Sequence, residues 1–182
     1  MTEELRSVLL GTAGLSVAAV IALLLTVSRA GIGADKPQLR AAVLTMVVAI
    51  LFQAAHFAEE VATGFHQRFP ELLGLTPWPP AFFVSFNLFW LTIWSLSIWG
   101  FIAHRRVALF PLWFLSLACV ANGLAHPALS ALTGGYFPGL ATSPLVGVIG
   151  ILLLRRLIVM TDGSGASRDP HSALRSTAVR TQ

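Results

Sequence analysis

The sequence predicts an all-α, polytopic membrane protein of five transmembrane helices, with the amino terminus outside and the carboxyl terminus cytoplasmic. Three observations predict it. Of 182 residues, 55% are hydrophobic and 11% charged, against about 25% charged in a soluble domain. Mean hydropathy is +0.77, and the apolar residues gather in runs long enough to cross ~30 Å of hydrocarbon at about 1.5 Å per helical residue. Finally, a five-span threading sorts the basic residues by side. Arg29, Lys36, Arg40, Arg105, Arg106, Arg155, Arg156, Arg168, Arg175 and Arg180 share one side, and Arg6 and Arg68 the other. That bias is what the positive-inside rule demands of a multi-pass protein of the inner (plasma) membrane. The net charge of +4 therefore reads as orientation, and no nucleic-acid partner is expected; membrane lipid is.

The first span covers about residues 8–27 and carries no charge. The charged start before it is net acidic, so the segment reads as a retained span and not as a cleaved signal. Gly14 and Ala18 form a small-xxx-small pair suited to close helix approach. Gly31, Gly33 and Pro37 break the loop that follows. The second span covers about 40–63, and Ala54, Ala58 and Ala62 lay a smooth stripe along it. Residues 64–80 read as an interfacial segment with one short amphipathic helix, and Trp78 suits the headgroup level. The third span, about 81–103, is rich in Phe and Trp, with Trp90 and Trp94 one turn apart as packing residues or walls of a lipid pocket. The fourth covers about 107–126 and stops at Pro127. An uncharged, Gly/Pro-rich connection leads to the fifth, about 144–160, and residues 161–182 read as a disordered cytoplasmic tail. The five spans form one domain, 1–160. The single cysteine, Cys119, excludes an intrachain disulfide.

One stretch breaks the apolar pattern. His56-Phe57-Ala58-Glu59-Glu60 lies near the outer end of the second span, where each charged group costs about 2.5–3.5 kcal/mol to insert at a bilayer centre. Gln53, His56, Glu59 and Glu60 share a helix sector of about 120°. Asn87 lies roughly 9 Å into the third span at 1.5 Å per residue. Asn122 and His126, one turn apart, lie at the outer end of the fourth. Three helices thus carry their rare polar groups at one level, in the outer leaflet.

Two imidazoles and a carboxylate are ligands for a divalent transition metal, zinc foremost. The expected ligands are His56, Glu60 and His126. Glu59 would move protons, Asn87 and Asn122 would position a lipid-like or small-molecule substrate, and Tyr136 would supply a hydroxyl. This reading is a membrane-embedded, metal-dependent hydrolase or lipid-modifying enzyme. Two others stand beside it. One is a binding or transport protein using Glu59 and Glu60 as a proton or cation site. The other is a structural membrane partner in which the polar set is a hydrogen-bonded network. His66 reads as an interfacial residue, His104 as an inner anchor beside Arg105 and Arg106, and His171 as part of the tail.

The stretch 56–60 resembles the signature of the HXXEE family of bacterial membrane proteins. Asn122-Gly123-Leu124-Ala125-His126, followed by Tyr136-Phe137-Pro138-Gly139-Leu140-Ala141-Thr142, is similar to that family's second motif region. The resemblance covers about residues 51–154. It implies an integral membrane protein whose motifs suggest an enzyme, with His56, Glu59, Glu60, Asn122, His126 and Tyr136 as site residues. It implies no substrate, reaction or cofactor.

Overall fold

The computed structural model describes residues 1–29 and 31–162. It is all-helical, 81% helix with no strand among the described residues. Among the described residues four helices are long and apolar enough to cross a membrane, five if a pair bent at a short break counts as one span. Seven α-helices follow in order: α1 Glu3–Gly11, α2 Ala13–Ser28, α3 Lys36–Thr63, α4 Phe65–Leu72, α5 Pro80–Ile102, α6 Leu109–Thr133 and α7 Ser143–Thr161.

The first span is not one rod. α1 and α2 meet at Thr12 with a 50° bend. The Thr12 hydroxyl donates to the Val8 carbonyl at 2.7 Å, the kind of back-bond that bends helices. α1 is also held aside: the Ser7 hydroxyl donates to the Thr76 carbonyl at 2.6 Å, and Gly11 packs directly on the Trp78 ring. Trp78 is 5% exposed. It packs inside this end of the bundle, where its backbone N–H donates to the His66 carbonyl and folds the segment back over α4.

α3 begins earlier than the sequence suggested. Asp35 and Gln38 form a reciprocal capping box, and Pro37 sits in the first turn, where its missing N–H costs no helical hydrogen bond. Pro37 is thus a helix starter, not a breaker. The helix ends at Gly64, whose φ of 79° suits a residue without Cβ.

α6 corrects a second boundary. It runs through Pro127 for two further turns and stops at Gly134, φ 70°. A proline removes one backbone hydrogen bond, and neighbouring helices tolerate that within a bundle. Glycine, not proline, provides the stop. At its other end α6 follows a 3-10 turn, Arg106–Ala108. The Arg106 guanidinium donates to the carbonyls of Thr26, Val27 and Arg29. It thereby satisfies the open end of α2 with the charge that end prefers.

α6 is the hub, packing against α7, α2, α5 and α3. Its closest partner is α7, where Gly123 faces Gly147; a Cβ on Gly147 would stand 2.9 Å from the Gly123 Cα. This is the small-residue crossing of membrane helices. The pair Gly14 and Ala18, where such an approach was expected, divides differently: Ala18 is buried, while a Cβ on Gly14 would meet nothing within 4 Å. Trp113, Leu112, Leu115, Met46, Phe101, Leu153 and Leu157 fill the core. Leu24, Leu51, Leu88, Phe89, Leu124, Val148 and Val159 are exposed around the bundle. In water so large an apolar surface would be an association hazard; against lipid it is the ordinary exterior. The tail expected from residue 161 is helical at Thr161 and from 163 onward lies outside the described residues, together with His171 and the tail arginines.

Candidate metal centre

α3 and α6 each bring an imidazole to the end of the bundle that carries the amino terminus. The ring nitrogens His56 Nε2 and His126 Nε2 stand 3.1 Å apart. Glu60 Oε1 lies 3.5 Å from the first and 3.4 Å from the second. The three side chains are buried, with His56 fully so. They are the one His/Cys/Asp/Glu group among the described residues with the spacing to hold a metal ion.

The proton positions around this triangle follow from the partners. His126 Nδ1 faces the Pro138 carbonyl at 2.5 Å. A carbonyl only accepts, so Nδ1 carries a proton and Nε2 is the atom turned to the triangle. His56 Nδ1 is 2.7 Å from the Thr142 hydroxyl. That hydroxyl spends its own proton on Glu59 Oε2 at 2.6 Å, so it accepts from His56, and His56 Nε2 likewise faces the triangle. Two imidazole Nε2 atoms and a carboxylate oxygen thus converge on one point, where a shared proton or a cation would hold them together. Ligand atoms at ~2.1 Å around a tetrahedral zinc lie about 3.4 Å from one another, close to the three separations here. Metal-ligating histidines characteristically donate their second N–H to a carbonyl or carboxylate; His126 has such a carbonyl in Pro138, and His56 reaches the Glu59 carboxylate through the Thr142 hydroxyl.

Glu59, one residue away, does something else. Its oxygens accept from the Tyr136 hydroxyl at 2.5 Å, the backbone N–H of Ala141 at 2.9 Å, and the N–H and hydroxyl of Thr142 at 2.9 and 2.6 Å. Charge-assisted bonds of this kind are the strong ones. Partial desolvation and the donated bond to Glu59 raise the Tyr136 phenol above its ordinary value, so Tyr136 stays a donor. The carboxylate expected to move protons is consumed in pinning the 134–142 segment, and Tyr136 is its partner at the rim, 46% exposed. The pinned segment lays Phe137, Pro138 and Gly139 over the imidazoles. Gly139 has φ 87° and its α-carbon lies against both rings, so that a Cβ would stand 2.8 Å from His56 Cε1. Only glycine fits there, for backbone and for space.

On the opposite side Glu60 and His126 border a cavity of about 200 Å³. Phe65, Phe69, Phe82, Phe86, Trp90, Trp94 and Phe114 wall it, and Gln53, Asn87 and Asn122 are its neutral polar groups. Trp90 and Trp94 wall this cavity and both also pack, tilted, on Phe114. Asn87 donates to the Phe83 carbonyl of its own helix at 2.9 Å. Neither asparagine touches the His/Glu/His triangle; both face the space beside it. Gln53 accepts from the Cys119 thiol at 3.6 Å.

Sequence reasoning brought together His56, Glu60 and His126, and the structure does too. It missed Thr142, the Pro138 carbonyl and Gly139, which orient and shield the rings. Their signal was the Pro-Gly turn inside 136–142, which needed a target before it could be assigned one. No family model matches this chain, and no curated protein or solved structure matches it either.

Proposed function

We propose that the chain is a membrane-embedded, metal-dependent hydrolase, with His56, Glu60 and His126 holding one divalent cation, zinc by the chemistry of the ligands. The observation that carries this reading is the triangle of three converging ligand atoms at 3.1, 3.4 and 3.5 Å. Three protein ligands with a fourth position left open are the arrangement of catalytic zinc, whereas structural zinc is closed by four. Such a cation polarises a carbonyl and acidifies a coordinated water.

The residues divide the remaining work. Thr142 and Glu59 hold the proton on His56 Nδ1, and the Pro138 carbonyl holds that on His126 Nδ1. Glu59 is thereby a positioning residue. Asn87 and Asn122 orient a carbonyl oxygen beside the centre, where the aromatic walls exclude bulk water. In the reaction the oxygen of water joins the acyl carbon, the bond from that carbon to the leaving group breaks, and the proton leaves with the departing group. The site lies in the outer leaflet of the inner membrane in the threading that puts Arg29, Lys36, Arg105, Arg106, Arg155 and Arg156 inside. Membership of the HXXEE family belongs to the same proposal; it is supported by the two stretches that carry the resemblance meeting at one centre.

The transport reading draws less support. Toward the other end, Thr45, Ser97 and Ser116 return their hydroxyls to carbonyls of their own helices, and Met46, Phe101 and Trp113 close the core there. Metal analysis tests the proposal. Purified protein is expected to carry about one zinc per chain by the three-ligand logic, and His56→Ala to carry none. A metal-free wild type, or equal metal in the variant, overturns it in favour of a proton shared within the triangle.

A further inference from the structure

The aromatic cavity opens sideways. α1 and α2 border it on one flank and α5 on the other, yet these two flanks pack against α6 and α3 and not substantially against each other. Between them Ala121 and Ala125 of α6, the hub helix, line the cavity and remain exposed. Gly14 borders the same gap with open space where a side chain would be. In the five-span threading such an opening is directed sideways, toward the bilayer.

The lining also has a charge signature. Among the described residues its only ionisable groups are Glu60 and His126, both committed to the metal centre. It holds no lysine, arginine or aspartate, so a phosphate headgroup finds no cation beyond the centre and a quaternary amine no free anion. Bringing an unpaired charge into such surroundings costs several kcal/mol. The polar groups available are the amides of Gln53, Asn87 and Asn122, which match an uncharged oxygen acceptor. The volume of about 200 Å³ accommodates roughly seven atoms of methylene or water size at ~30 Å³ each.

From the lateral gap, the neutral amide lining and the volume, we infer that the substrate is an uncharged, carbonyl-bearing lipid. It enters between α1/α2 and α5 and places its carbonyl at the His/Glu/His centre and about seven chain atoms in the aromatic cavity. This rests on the metal-centre reading for its chemistry but not for its binding.

The test uses the full chain in lipid nanodiscs and its tryptophan fluorescence, since Trp78, Trp90 and Trp94 line the cavity. The probe is an ω-bromoalkyl methyl ketone of about seven chain carbons, which has no hydrolysable bond and quenches indole on contact. Two probes of equal chain length replace the ketone by a phosphate monoester or a trimethylammonium group. The ketone is expected to quench saturably. Gly14→Phe is expected to weaken that quenching at least tenfold with zinc content unchanged. Equal or tighter quenching by either charged probe in wild type overturns the inference, and so does a ketone response that Gly14→Phe leaves intact. A saturable ketone response in a wild type without zinc supports the lipid cavity and sinks the metal centre. Stoichiometric zinc with no saturable ketone response does the reverse.

Discussion

The two ends of this bundle treat buried polar side chains in opposite ways. At the end carrying the α2–α3 and α5–α6 connections, a hydroxyl is satisfied by its own helix: Thr45 by Ala41, Ser97 by Ile93, Ser116 by Trp113. At the other end the side chains around the triangle are satisfied across the fold. His56 reaches Thr142, Glu59 reaches residues 136–142, and His126 reaches Pro138. The first arrangement is complete within one helix and asks nothing of its neighbours. The second leaves something over: with these partners in place, the Nε2 atoms of His56 and His126 and the Glu60 carboxylate still face one another. A membrane protein can carry polar residues cheaply by the first route, so the second is what the proposed metal centre rests on.

The comparison is most open to attack at Glu60. Glu60→Gln replaces an anionic ligand by a neutral amide of equal size. It should cut bound zinc to background and turnover at least about a hundredfold, since the cation supplies the central chemistry; metal analysis and a hydrolysis assay read both. Should Glu60→Gln keep its metal, the two ends would differ only in wiring.

Gly139→Val comes next. It puts a β-branched residue at φ 87° against two rings, and strain of this kind costs on the order of 1–3 kcal/mol. Thermal unfolding in detergent should show the loss, and zinc affinity should fall with it.

Glu59→Gln sharpens the division between the adjacent glutamates. Removal of a second-layer partner typically costs about 10–100-fold in metal affinity. A competition titration should therefore show weaker zinc binding, with about one zinc per chain still reached at saturation. Lost turnover with unchanged affinity would instead return Glu59 to the role of proton carrier.

The smallest effect belongs to the other end. Ser116→Ala removes a hydroxyl bonded within its own helix and should change stability by no more than about 0.5 kcal/mol, with zinc content untouched. A larger loss, read in the same unfolding assay, would mean that this end is also wired across the fold.

Much of this contrast was legible along the chain because helical periodicity is local. The spacing of His56 and Glu60, and of Asn122 and His126, places side chains on faces without knowledge of any neighbour. Depth follows from counting residues from each span's end. Helix ends were harder to read. Pro37 and Pro127 look alike as breakers, but one starts α3 and the other lies inside α6. Proline's penalty depends on which N–H it removes and on what surrounds the helix. The bend at Thr12 and the burial of Trp78 were not legible, because contacts between α1 and the segment before α5 take part in both.

What the sequence determined alone is the set of apolar runs, the side on which the basic residues gather, and the presence of His56, Glu59, Glu60 and His126 near one end of their helices. Sequence reasoning put Glu60 among the ligands and made Glu59 a proton carrier, but it had no means of seeing the loop that Glu59 holds. The two glutamates are neighbours in the chain, so about 100° of helix rotation separates their directions. Each direction acquires a meaning only from what is packed there: α6 with its imidazole on one side, the backbone amides of 141–142 on the other. Tertiary packing therefore made one carboxylate a ligand in waiting and its neighbour the anchor of the loop that holds both histidines in place.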